Sequence, residues 1–334
     1  MPVQFPHPTK KGELLPTLQE LIDSNRNKDV PKEAAWIWGP DDEVGRLNLL
    51  SPELVKRVSQ SEPKFGLVSS LNWDITLPLH PPFSRPALQY EIQANPKALI
   101  HDDTVVMNTQ SGSQFDGFRH FGHISCQVMY NGLTRDEIVG ADRSLRCGMQ
   151  ACSKHGIVGR GVLLDFVLYA QQKGIQYDPF KRYGISLAQL KEMAALQGVE
   201  FEYGDVLLIR TGWMKKYNEL LAQGNTAELE QTGAASPTAV GIDQGDDMKY
   251  WLHDQYFSVV GGDQPAFEAW PSRTAECLHE YLLACWGVLI GEMLDLEDLA
   301  EKCATTGKYS FLFMSAPFNS PGGVATFANA LCVL

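Results

Sequence analysis

Between Gln110 and His120 the chain reads Gln-Ser-Gly-Ser-Gln-Phe-Asp-Gly-Phe-Arg-His, which sets two amides, a carboxylate and an imidazole at even-numbered positions. In an extended segment Gln110, Gln114, Asp116 and His120 project to one face. Gly112 and Gly117 argue against a helix, each costing about 1 kcal/mol relative to alanine in a helix interior, and both permit the kinks that re-aim side chains. A carboxylate and an imidazole converging beside two amides suit ligand binding and proton transfer. A polar, glycine-rich surface loop would have the same composition.

A second pair lies near the C-terminal end. Thr274 to Trp286 has apolar residues at helical spacing, Gly287 suits the helix end, and Val288-Leu289-Ile290 reads as a buried strand running into Glu292. A helix from His279 to Trp286 rises about 10 Å and a strand from Val288 to Glu292 returns about 13 Å. A reversal at Gly287 would therefore bring His279 and Glu292 to the same level. Taken singly, His279 suits a half-buried helix position and Glu292 an exposed one. Together with Asp116 and His120 they form a set of hard and imidazole donors fit for a metal ion.

The elements that must position these residues can be read in outline. Ser51-Pro52-Glu53 combines a cap, a proline in the first turn and an acid, predicting a helix to about Gln60. Further helices are expected from Ser186 to Met193 and from Met248 to Gln255. Apolar runs predict strands at 71–79, 105–110, 161–167, 205–211, 257–261, 288–291 and 310–314, with a last one ending at Leu334. This mix points to an α/β or α+β fold in a single compact domain around a mixed sheet, preceded by a loop-rich segment, 1–48.

The 334 residues are 44% hydrophobic and carry 28 basic against 40 acidic side chains, a net charge of -12. That balance disfavours a nucleic-acid partner. No run approaches a membrane span and the first fifteen residues have no apolar leader core, so a soluble, cytoplasmic protein is expected. The seven cysteines are odd in number, lack a Cys-x-x-Cys pair and sit in apolar surroundings, as reduced buried thiols do. No Walker loop, dinucleotide fingerprint, His-Glu-x-x-His or Gly-x-Ser-x-Gly is present.

With these pieces in order, the chain resembles the cyclase family of metal-dependent hydrolases, the group that includes bacterial kynurenine formamidase and isatin hydrolase. The resemblance rests on Trp38-Gly39-Pro40-Asp41-Asp42 with Gly45 and Leu47-Asn48, on Gln110 to His120, and on 161–165 and 204–213. It continues through Gly262-Asp263, His279 with Glu292, Ala316-Pro317 and Gly322-Gly323. The family pattern is His-x-Gly-Thr-His-x-Asp-x-Pro-x-His. Here Gln110 and Gln114 stand for the first two histidines, Ser113 for the threonine and Phe118 for the proline, while Asp116 and His120 match.

The resemblance implies a central barrel-like mixed sheet flanked by helices, of the swivelling β/β/α kind, in a hydrolase domain spanning 49–334. It implies a metal held by Gln110, Gln114, Asp116, His279 and Glu292, with His120 and Asp116 as catalytic residues. An amide carbonyl is a poor zinc ligand but suits harder ions, so manganese, zinc, magnesium and calcium all remain open. The implied reaction is hydrolysis of an amide, a cyclic amide or a lactone by an activated water. A metal-free cyclase or isomerase using Asp116 and His120 as an acid/base pair is the alternative.

Trp36, Trp38, Phe83, Phe115, Phe118 and Trp213 are candidates for an apolar wall around a cyclic or aromatic small molecule. His123 is a candidate to assist His120, although a surface position would suit it equally. A homodimer or homotetramer is expected, with 1–48 reaching a neighbouring subunit because Trp36 and Trp38 need burial.

Overall fold

The computed structural model describes residues 15–27 and 29–334. Its centre is four parallel strands in the order Ile157–Asp165, Val206–Arg210, Val259–Gly262 and Leu289–Glu292. Strands buried on both faces read as continuous apolar runs, and Val206, Leu207, Leu208 and Ile209 have no exposed surface. Antiparallel wings complete a curled, nine-stranded mixed half-barrel flanked by helices. On one side Ser310–Ser315, Ala330–Val333 and Val68–Ser70 follow Ile157–Asp165. On the other, Gln114–Asp116 pairs with Leu289–Glu292 and then with Ala325–Phe327. The sequence expectation of an α/β fold around a barrel-like mixed sheet is the architecture observed.

The helices begin where their caps predict. Ser51 accepts from the Leu54 N–H at the start of Pro52–Ser61, and Ser186 with Gln189 forms a capping box on Leu187–Leu196. Asp246–Asp254 covers the predicted third helix.

Four predicted elements differ. The run 71–79 is a loop, because the Asp74 side chain accepts from the Thr76 N–H and the Leu77 N–H returns to the Asp74 carbonyl, making a turn inside an alternating pattern. The strand expected to reach Val167 stops at Asp165, whose carboxylate caps Phe166–Lys173. The strand placed at 105–110 is His101–Val106, paired with Gln89–Ala94 as a hairpin exposed along both strands. The helix expected over 274–286 is a π-helix confined to Glu280–Cys285. It ends as foreseen at Gly287, where φ is +65° and an added Cβ would lie 2.8 Å from the Gly45 Cα.

The described part of the N-terminal segment lies on its own chain. The Trp36 indole N–H donates to the Ala284 carbonyl (2.9 Å) and the Ala35 N–H to the Cys285 carbonyl (2.8 Å). Trp38 packs with Ile37 and Tyr203 on Leu15, Leu49 and Tyr256. Both tryptophans are half-buried against their own chain. Residues 1–14 and 28 fall outside the described residues.

Candidate active site

Only the middle of the Gln110–His120 motif is a strand. Gln114–Asp116 is held between Leu289–Glu292 and Ala325–Phe327, whereas Gln110 lies in a turn before it and His120 in a turn after it, its N–H bonded to the Gly117 carbonyl. Bending, rather than the expected extended alternation, gathers the four side chains. Gly117 allows this: a Cβ there would sit 2.4 Å from Met149 Sδ and 2.9 Å from the Val324 carbonyl. The register aligns Glu292 with Gln114 and Ile290 with Asp116, and the π-helix with the turn at Gly287 brings His279 over the same end.

The cluster is buried and joined by short contacts. Gln110 Nε2 donates to Asp116 Oδ1 (2.9 Å) and lies 2.6 Å from His120 Nδ1. Gln114 Nε2 donates to Glu292 Oε2 (2.8 Å), and Glu292 Oε1 is 3.1 Å from His279 Nε2. His120 Nε2 and His279 Nε2 stand 3.6 Å and 3.9 Å from Asp116 Oδ2. Among the described residues, that oxygen has no hydrogen-bond partner although Asp116 is fully buried, and neither has Gln114 Oε1. Donor atoms of Asp116, His279 and Glu292 all fall within 4.8 Å of one another.

One member of the cluster has no place in the sequence reading. Glu268 is fully buried and accepts from His279 Nδ1 (2.9 Å), so His279 lies between two carboxylates. Such a partner fixes the ring and its tautomer. Its only trace in the sequence is an isolated acid between Phe267 and Ala269.

The charges follow from this packing. Burial opposes protonation of His279, but Glu268 and Glu292 outweigh it and hold the imidazole charged well above its ordinary range. Burial, reinforced by the neighbouring Asp116 charge, pushes Glu292 up to about 7. His120 moves down, because burial outweighs the Asp116 carboxylate. It is accordingly neutral at pH 7, and with Nδ1 accepting from Gln110 its proton sits on Nε2, facing Asp116.

The aromatic wall expected from the sequence is elsewhere. Phe115 points to the other side of the sheet, against Phe313 and Gly291. Phe118 packs on Tyr130, and Trp213 stacks on Tyr217. All three are at most 1% exposed, so they are core. Phe83 meets Trp270 edge-on. The ring that does border the site is Phe121, 5.6 Å from His279 and 6.0 Å from His120 between centroids. His123 is buried rather than superficial, bonds Ser125 and the Cys126 N–H, and lines a separate cavity of about 430 Å³ with Arg119 and Met129.

A buried acid–imidazole cluster at the carboxyl end of a parallel strand is the architecture of an α/β enzyme. The family model described as putative cyclase matches residues 73–269, and the chain belongs to that enzyme family. A solved structure described as a novel cyclase is 27% identical with a TM-score of 0.76, over 90% of this chain and 99% of its own. Isatin hydrolase A from Labrenzia aggregata, bound to benzyl benzoate, shares the fold at 14% identity and a TM-score of 0.55, over 80% and 93% of the two chains. An isatin hydrolase bound to the product analogue thioisatinate is similar at 14% identity and a TM-score of 0.52, over 80% and 92%. A comparison with curated proteins finds no match.

Proposed function

We propose that the chain is a metal-dependent hydrolase of an amide, cyclic amide or lactone, with 49–334 as the catalytic unit. The observation that carries this reading is Asp116 Oδ2, fully buried, without a hydrogen-bond partner among the described residues, facing two imidazoles, in a cluster where donor atoms of Asp116, His279 and Glu292 lie within 4.8 Å of one another. A buried acceptor without a partner costs about 1–3 kcal/mol, and three buried carboxyl groups, Asp116, Glu268 and Glu292, surround one charged imidazole. A cation relieves both conditions. The donor set of carboxylates, imidazole and amide carbonyls fits an ion such as manganese or magnesium.

Asp116, Glu292 and, once its Nε2 proton is released, His279 would hold the ion, and a half-turn of the Gln110 and Gln114 amides would exchange their N–H groups for carbonyl oxygens. A bound divalent ion supplies an acidic water and a polarised carbonyl. His120, neutral and only partly covered, moves the proton toward the leaving group. Glu268 orients His279 through its Nδ1–H.

The metal-free cyclase or isomerase reading has its own support. As placed, the Gln110 and Gln114 amides donate to both carboxylates, which neutral donors stabilise without an ion. Isatin hydrolases of the same fold make cyclic amides the first substrates to try.

The test is hydrolysis of isatin, formanilide and small lactams by wild type, Asp116→Asn and His120→Ala, before and after chelation. Loss of at least a hundredfold in both variants, with chelator sensitivity, supports the proposal. Chelator-indifferent turnover that still needs His120 supports the metal-free reading, and full activity in both variants contradicts both. We also propose a homodimer or homotetramer, supported by the exposed Ile92, Leu99 and Val106 of the hairpin, and a soluble cytoplasmic setting. No helix among the described residues is long and apolar enough to cross a membrane.

A further inference from the structure

Beside the polar cluster lies a cavity of about 390 Å³ lined by Trp73, Ile75, Met107, Phe318, Phe327 and Ala328, with no charged side chain in its wall. Its position relative to the cluster follows from strand register. Phe327 pairs with Gln114, which pairs with Glu292, so the three side chains form one row on the same face of the sheet. Adjacent strands lie about 4.8 Å apart, which places the cavity wall one strand from Gln114 and two from Glu292. Gly112 and Ser113, which line the cavity, lie between the two glutamines of the motif in the chain.

The inner wall is rigid. The Trp73 N–H donates to Ser113 Oγ (3.1 Å), its indole N–H donates to Asn218 Oδ1 (3.1 Å), and its ring meets Tyr217 and Trp213 edge-on. The mouth is open, with Phe318 67% and Ile75 44% exposed. A dry cavity of about 150 Å³ accepts benzene, so this one has room for a one- or two-ring group. Hydrocarbon walls with only neutral polar groups at the edge reject a charged one.

We propose that this cavity is the apolar subsite of the enzyme, seating an uncharged, flat aromatic or alicyclic group whose attached carbonyl reaches Asp116, His120 and Glu292. The assignment rests on the hydrolase reading of that cluster. It gives substrate selection to Trp73, Phe318 and Phe327, none of which belongs to the Gln110–His120 motif.

Formanilide, formamide and indole are the probes. Formanilide carries a ring on the same amide that formamide presents alone, and indole has the ring without a scissile group. Phe318→Ala and Phe327→Ala should lower kcat/KM for formanilide roughly tenfold, through KM, and leave formamide unchanged. Calorimetric indole binding should weaken by a similar factor in both variants and stay unchanged in Asp116→Asn. Because Phe318 is mostly exposed, its truncation does not threaten the fold. Unchanged indole binding in both cavity variants, or no saturable binding to wild type, overturns the subsite. Failure of both amides to turn over, with indole binding still dependent on Phe318 and Phe327, overturns the hydrolase reading on which the assignment depends.

Discussion

Asp116, in the strand Gln114–Asp116, and Asp263, just past the strand Val259–Gly262, are both fully buried carboxylates, and they are treated in opposite ways. Asp263 accepts from the Thr211 N–H and hydroxyl through one oxygen and from the Gly212 and Met214 N–H groups through the other, closing the start of the helix Trp213–Ala222. Among the described residues, Asp116 receives a single amide hydrogen bond, and its second oxygen has none. A carboxylate with every lone pair used is a structural fastener. One left open where two imidazoles converge is a place for something else to bind.

The contrast is sharpest in stability. Asp263→Ala strands four donors, so a loss of roughly 3 kcal/mol or more is expected in denaturant unfolding. Asp116→Asn removes charge from an acid-rich cluster and should stay within about 1 kcal/mol of wild type while activity collapses. Equal destabilisation by the two would remove the distinction.

Histidine gives the same comparison in another currency. His279 lies between carboxylates and is held charged, whereas His253 is buried with Asp254 as its one side-chain hydrogen-bond partner among the described residues, and burial takes it down to about 4. A histidine kept neutral in the fold but protonated in the unfolded chain binds fewer protons when folded, so stability falls as pH drops from about 6.5 to 4. At about 1.4 kcal/mol per pH unit this amounts to roughly 3 kcal/mol. Thermal unfolding across that window should show it, and His253→Gln should flatten it.

The smallest expected effect concerns Glu268. If it orients His279, Glu268→Gln should lower activity or metal affinity about 10–100-fold with the fold intact. An unaltered rate would reduce Glu268 to a packing residue.

Much of the architecture was legible because buried parallel strands and capped helices leave local marks: the 206–209 run and the Ser51 and Ser186 caps are visible without tertiary information. The loop at 71–79 was not, since its alternating apolar residues mimic a strand until Asp74 turns the chain. Of the site, Asp116, His120, His279 and Glu292 could be named from residue type and spacing, and the structure brings their side chains together. Glu268 could not, because an acid matters there only through a ring placed by a distant π-helix. The pocket aromatics were missed for a related reason. Phe115, Phe118 and Trp213 lie in or near conspicuous motifs yet face the core, whereas Phe327 is remote in sequence and is set opposite Gln114 by strand pairing.

The central claim is that the open oxygen of Asp116 belongs to a metal site. Elemental analysis of protein prepared without chelators, wild type beside Asp116→Asn, tests it most directly. One divalent ion per chain in wild type and a marked loss in the variant is the predicted result; a metal-free wild type, or equal metal in both, contradicts it.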